Sequence, residues 1–105
     1  MPKFILAYHG KPDIPSKEDS AAHMVKWQNW SQGLGDAVVD PGMPVGTSMT
    51  VSQDGVLEGG GSNPLSGITI IQAETTDQAI SMAKSCPHLS VTGTIEIAQS
   101  MEMDM

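Results

Sequence analysis

The sequence predicts an α+β fold of the split βαβ kind, in which an antiparallel sheet carries two helices on one face. One pattern occurs twice along the chain: an apolar run of strand length, a helical stretch and a second β-prone run. The first copy begins at residues 4–8 and the second at residues 68–71. A sheet with helices on only one face leaves the other face bare, so we expect that face to be polar or covered by a partner. The whole chain, residues 1–105, is predicted to be a single domain.

The first half of the chain predicts two strands around one helix. Residues 3–9 mix apolar and β-prone side chains over the length of a strand. Residues 17–32 contain neither Pro nor Gly, and they predict a helix that Ser16 can cap and that Gly33 can end. Residues 36–39 predict a short strand that closes at Pro41 and Gly42.

The second half predicts a hairpin, two long strands and a second helix. The Asp54-Gly55 pair is a hairpin signal, so residues 47–52 and 56–58 are expected to lie side by side. Residues 67–73 and 94–99 read as long strands. Between them, a helix is expected to begin at Thr75 or Thr76 and to end before Pro87.

The composition excludes several classes of function. The chain has five Lys, no Arg and twelve acidic residues, so its net charge of −7 argues against a nucleic-acid partner. A single cysteine rules out an internal disulfide and suits a reducing compartment. The sequence contains no secretory signal and no run near the ~20 apolar residues that span a bilayer, so we expect a soluble, cytoplasmic protein.

His23 is the leading candidate for chemistry. It shares one side of the first helix with Trp27 and Trp30, at positions i, i+4 and i+7. The ring is either a proton shuttle in a pocket floored by the sheet or a half-buried histidine whose nitrogens bond to neighbouring groups. Asp36 and Asp40 flank the second strand, and each is either the partner that orients His23 or a solvated loop acid.

The other reactive residues have structural interpretations. Cys86 follows the second helix, where the helix dipole raises a thiol pKa, so a buried structural cysteine is expected. His88 is placed to interact with the last carbonyls of that helix. The irregular spacing of the three histidines gives no metal motif, and we expect neither a metal nor a cofactor. The glycines at 59–61, followed by Ser62 and Asn63, form either a flap over a ligand or a plain loop.

Several short segments together resemble the YCII-related family and its DGPF-domain relatives. They are residues 3–8, 22–23, 34–39, 50–51, 54–55, 66–71, 77–80 and 86–87. The resemblance implies a ferredoxin-like fold that dimerises through its sheet into an α+β barrel. It also implies a catalytic His early in the first helix, which His23 matches, paired with an Asp. Where relatives carry Asp-Gly-Pro-Phe, this chain has residues 58–64, which lack that acid and that Phe.

These observations predict a small-molecule site between the first helix and the sheet, edged by the loop at residues 59–63. In the enzymatic version, His23 is the general acid or base for an elimination or isomerisation, and Asp36 or Asp40 orients it. The residues expected to contact the substrate are Tyr8, Trp27, Ser62 and Asn63. Without Arg, a neutral or weakly charged substrate is expected. The alternative is a non-catalytic dimeric module that binds a metabolite or a protein.

Overall fold

The computed structural model describes residues 1–10, 17–59, 61, 63–91 and 93–101, and it confirms the α+β class. The described residues form a four-stranded sheet, a separate two-stranded sheet and two α-helices. The strands are β1 Lys3–His9, β2 Val38–Pro44, β3 Met49–Ser52, β4 Gly55–Glu58, β5 Leu65–Gln72 and β6 Thr94–Gln99. The helices are α1 Lys17–Leu34 and α2 Thr76–Lys84, and 3₁₀ turns occupy Gly35–Ala37 and Pro87–Val91.

The large sheet has the strand order β2-β5-β1-β6, and all neighbouring strands run antiparallel. The central strands are β5 and β1, and the first and last strands of the chain are neighbours: Leu6 of β1 lies between Thr69 of β5 and Ile97 of the edge strand β6. Within the described part of the chain, strands β3 and β4 pair with each other alone, around the Asp54-Gly55 turn that the sequence predicts.

One face of this sheet carries the core. Because side chains alternate along a strand, Phe4, Leu6 and Tyr8 of β1 point to the same face, and all three are buried. Ile71 of β5 and Ala79 of α2 are fully buried in the same cluster. The side chains that α1 adds to the cluster, Trp27, Trp30 and Leu34, are only partly buried. Both helices thus cover the same face of the sheet.

The opposite face has an apolar centre, and we call it the open sheet face. It carries the strand residues that alternate with the core residues. Those at its centre are Ile5, Ala7, Met43, Ile68, Ile70 and Ala98, and the charged or polar ones around them include Lys3, Gln72, Asp40 and Glu96. Ile5, in the central strand, keeps 42% of its surface exposed, and Met43 keeps 63%. The sequence predicts that this second face is either polar or covered by a partner. In the structure the centre of the face is apolar.

Strand β2 differs from its prediction. It begins at Val38, after the 3₁₀ turn, and it continues through Pro41 and Gly42 to Pro44 instead of closing there. The register shifts between Asp40 and Met43, which is the signature of a bulge. A bulge of this kind lets a Pro-Gly pair remain inside a sheet, since the extra residues need not take part in the ladder.

Helix α2 begins as the sequence indicates. Of the two candidate caps, Thr75 is the one used: its side-chain oxygen accepts a hydrogen bond from the Gln78 amide at 3.1 Å. The predicted cap of α1, Ser16, lies outside the described residues. Neither helix in the described part of the chain has the length and apolarity needed to cross a membrane.

Candidate functional site

His23 and Trp27 form the centre of the predicted site. They lie one turn apart on α1, and the indole Nε1–H of Trp27 donates a hydrogen bond to Nε2 of His23 at 2.8 Å. The Nε2 lone pair of His23 is therefore occupied. Burial lowers the pKa of His23, and the neighbouring Lys26 and His88 lower it further. The ring is thus held neutral at physiological pH.

The Tyr8 hydroxyl is hydrogen-bonded within the sheet. It donates to Thr69 Oγ1 at 2.7 Å, and Thr69 Oγ1 donates in turn to the carbonyl of Pro41 at 3.1 Å. These two bonds connect β1, β5 and β2. Burial raises the pKa of Tyr8 well above its ordinary value. Tyr8 is consequently a neutral, buried residue whose hydroxyl is hydrogen-bonded to Thr69, and its contact with a substrate stays a prediction.

Aromatic rings link α1 to the sheet and to α2. The ring centroid of Trp27 lies 5.0 Å from that of Tyr8 and 5.5 Å from that of Trp30, and both pairs are T-shaped. Trp30 Nε1–H donates to the carbonyl of Met82 in α2 at 3.0 Å. Trp27 is predicted to contact the substrate, and its packing in this structure is typical of a core residue.

Asp36 and Asp40 do not contact His23 in this structure. Asp40 pairs with Ile70 on the open sheet face, away from the helices, and its Oδ1 accepts from the Gly42 amide at 2.8 Å. Asp36 is exposed in the 3₁₀ turn, and its carbonyl accepts from the Gln72 side chain at 2.9 Å. Across the described residues, neither a hydrogen bond nor an ion pair joins His23 to either aspartate. The geometry therefore gives no support to the predicted acid–His pair.

The loop before β5 is hydrogen-bonded to the sheet through His9, which is not among the site residues predicted from the sequence. His9 Nδ1 donates to the backbone carbonyl of Asn63 at 3.1 Å, and Nε2 lies 3.1 Å from Glu96 Oε1. Both partners are acceptors, so the ring makes both bonds only when both nitrogens carry a proton. Asn63 is exposed, and Ser62 lies outside the described residues. The glycine run therefore remains either a flap or a plain loop.

His88 has a structural role different from the expected one. It is buried, and its Nε2 donates to the backbone carbonyl of His9 at 2.8 Å. It therefore links the Pro87–Val91 turn to the end of β1. The interaction predicted from the sequence was with the last carbonyls of α2. Its partner lies 79 residues away in sequence, so no local pattern indicates this contact.

Cys86 is a buried thiol, as predicted. Only 3% of its surface is exposed, and burial raises its pKa to about 11. A thiol in this environment stays protonated at neutral pH and is a poor nucleophile.

The hydrogen bond between Trp27 and His23 predicts a pKa change. Because the indole N–H stabilises the neutral imidazole, Trp27→Phe is expected to raise the pKa of His23 toward its ordinary value. NMR titration of the ring protons measures this change. Trp30→Phe is the matched control, since Trp30 donates to Met82 and leaves the His23 bond in place. A His23 pKa that is equal in both variants contradicts the role of Trp27.

The buried thiol predicts a loss of stability in alkali. The unfolded Cys86 thiol loses its proton near its ordinary pKa of 9.0, whereas the folded one keeps it until about pH 11. Between these values the unfolded state binds fewer protons, so the free energy of unfolding falls as the pH rises. Urea unfolding at pH 8 to 11 measures this slope, and Cys86→Ala is expected to make it shallower. The raised pKa of Tyr8 also makes the free energy of unfolding fall as the pH rises. If Cys86→Ala leaves the slope of this free energy against pH unchanged, the assignment to the thiol is wrong.

The comparisons with known proteins leave the family assignment open. The chain matches none of the protein-family models, and a search of curated proteins finds no relative. The similarity to the YCII-related family therefore stays a prediction from short segments of sequence.

Proposed function

We propose that the protein is a dimeric binding and interaction module, with a ferredoxin-like fold whose open sheet face packs against a second copy to form an α+β barrel. The observation that carries this proposal is the apolar open sheet face. The strand order and the placement of both helices on the other face agree with such a fold. In this proposal His23 is a structural residue of α1.

The chemistry of the open sheet face suits a second copy of the chain. Ile5 and Ile70 pair directly across β1 and β5, as do Ala7 and Ile68, so the two inner strands are aliphatic there. The edge strands place Asp40 beside Ile70 and Glu96 beside Ala7. Charged and polar side chains such as Lys3 and Gln72 lie at one end of the same strands. An apolar centre with a polar rim is the usual anatomy of a protein–protein interface.

The exposed area is large enough for such an interface. The chain exposes 7442 Å², whereas a compact monomer of this mass exposes roughly 5,700 Å². Its radius of gyration is 15.0 Å, against about 13 Å for a compact domain of this length. The excess of roughly 1,700 Å² belongs to the whole chain, the β3–β4 hairpin included, and it is larger than the roughly 800 Å² that each partner buries in an interface of standard size.

The β3–β4 hairpin adds exposed apolar surface. Its two strands carry large side chains that keep more than half of their surface exposed, namely Met49, Val51, Val56 and Leu57. Val51 and Val56 form a cross-strand pair, whereas Leu57 pairs with Thr50 and points to the other side of the ribbon. A ribbon that is apolar on both sides is suited to pack against another molecule.

The enzymatic alternative has less support from the geometry. A general base needs a free lone pair within reach of its substrate, and Nε2 of His23 already accepts from Trp27. The experiment that tests the proposed module is the mass of the purified protein in solution. A dimer is expected, and a monodisperse monomer of 11.1 kDa at micromolar concentration contradicts the proposal.

A further inference from the structure

A groove of about 900 Å³ lies on the helical side of the molecule, remote from the open sheet face. One wall is the C-terminal half of α1, which contributes Lys26, Asn29 and Trp30. The other wall runs from the end of α2 into the Pro87–Val91 turn, and it includes Lys84 and Leu89. A volume of this size is typical of sites for small organic molecules.

The charge of the groove is opposite to that of the protein. The chain carries a net charge of −7, with five lysines against twelve acidic residues. Lys26 and Lys84 are two of those lysines, and among the described residues that line the groove they are the only charged ones. The side-chain charge of the groove is therefore positive on an acidic molecule, and the two ammonium groups favour an anion.

The side-chain donors that remain free in the groove belong to Lys26, Lys84 and Asn29. The hydroxyl groups of Ser85 and Ser90 donate to the carbonyls of Met82 and Pro87, so their protons are already used. The indole N–H of Trp30 is used in the same way. The ammonium groups of Lys26 and Lys84 and the side-chain amide of Asn29 have N–H groups that can donate hydrogen bonds. A ligand with acceptor oxygens is suited to them.

The rest of the lining is apolar. Trp30, Leu34, Leu89 and the buried Cys86 border the groove, and Leu89 keeps 41% of its surface exposed there. Burial of an apolar ligand body against these side chains is favourable in proportion to the area removed from water.

We propose that this groove binds a small organic anion with an apolar, ring-sized body, such as an aromatic carboxylate. The carboxylate lies at the two ammonium groups, and the ring packs between Trp30 and Leu89. The site extends beyond the proposed dimer function and does not depend on it, because α1 and α2 cover the other face of the sheet. It also differs from the neutral ligand that the absence of Arg suggests, since two lysines supply the charge without a guanidinium group.

The test is an NMR titration of the ¹⁵N-labelled protein with 1-naphthoate, compared with the neutral analogue 1-naphthamide. Saturable shifts are expected at backbone amides along the groove, including those of Asn29, Gly33 and Ser85. The amide is expected to bind roughly tenfold more weakly, because it lacks the charge that both lysines recognise. Equal affinities, or shifts centred on the open sheet face, overturn the proposal.

Single substitutions assign the charge recognition to the groove. Lys26→Met and Lys84→Met keep most of the side-chain length, and each is expected to weaken 1-naphthoate binding roughly two- to fivefold. Lys17→Met, at the exposed start of α1 and outside the groove, is the matched control and is expected to bind as the wild type does. The amide spectrum of each variant confirms its fold. Affinities that are unchanged in both groove variants overturn the proposal, and so does an equal loss in Lys17→Met.

Discussion

The protein is expected to have a mass of about 22 kDa in solution, twice the 11.1 kDa of the chain, and Ile5→Asp is expected to reduce it to that of the monomer. Ile5 lies in the central strand and is the exposed member of the Ile5–Ile70 pair on the open sheet face. A carboxylate at this position stays hydrated in the monomer, but it loses its water in a sheet-to-sheet dimer. The cost of burying an unpaired charge is several kcal/mol, so the dissociation constant is expected to rise more than a hundredfold.

Light scattering coupled to size-exclusion chromatography measures this change over a range of concentrations. Met24→Asp is the matched control, because Met24 is 58% exposed on α1 and the substitution adds the same charge outside the open sheet face. It is expected to remain dimeric, and circular dichroism verifies that both variants fold. Leu57→Asp separates the contribution of the hairpin from that of the sheet. If Ile5→Asp forms the same dimer as the wild type, the interface lies elsewhere and the proposed sheet packing is wrong.

Regular strands could be predicted from the sequence because their signal is local. The predicted bounds of β1 and β6 agree with the structure. In both strands the side chains alternate between the covered and the open face of the sheet, and this alternation is visible in the local sequence. Strand β2 could not be predicted in the same way. A Pro-Gly pair normally ends a strand, and here the pairing continues because Gly42 passes close to Ile68, a residue far along the chain.

The candidate site shows the same division between local and distant contacts. The spacing of His23 and Trp27 on one helix predicts their contact, and the structure contains it. The direction of Asp40 depends on the bulge in β2, so no local sequence pattern places it on the open sheet face. The groove likewise joins α1 to the end of α2, two segments that no motif connects, and its two lysines are unremarkable as single positions.

Gly42→Ala is expected to be among the most destabilising single substitutions in the chain. Gly42 has a φ of +69°, a left-handed conformation that costs roughly 1–2 kcal/mol for residues with a side chain. A Cβ atom at this position would overlap the backbone oxygen of Ile68, and a backbone atom cannot move aside as a side chain can. We therefore expect a loss of about 3 kcal/mol or more, because β2 must separate from β5 to relieve the contact.

Gly46→Ala is the matched control for this substitution. Gly46 lies just beyond β2, its φ is outside the left-handed region, and a Cβ atom there meets no heavy atom within 4 Å. Thermal unfolding is expected to show a midpoint lower by more than about 10 °C for Gly42→Ala and nearly unchanged for Gly46→Ala. Strand β2 also supplies the Pro41 carbonyl that accepts from Thr69, so its displacement is expected to weaken the Tyr8–Thr69–Pro41 chain as well. Equal midpoints for the two variants would mean that β2 does not pass close to Ile68, and the edge of the sheet would have to be placed differently.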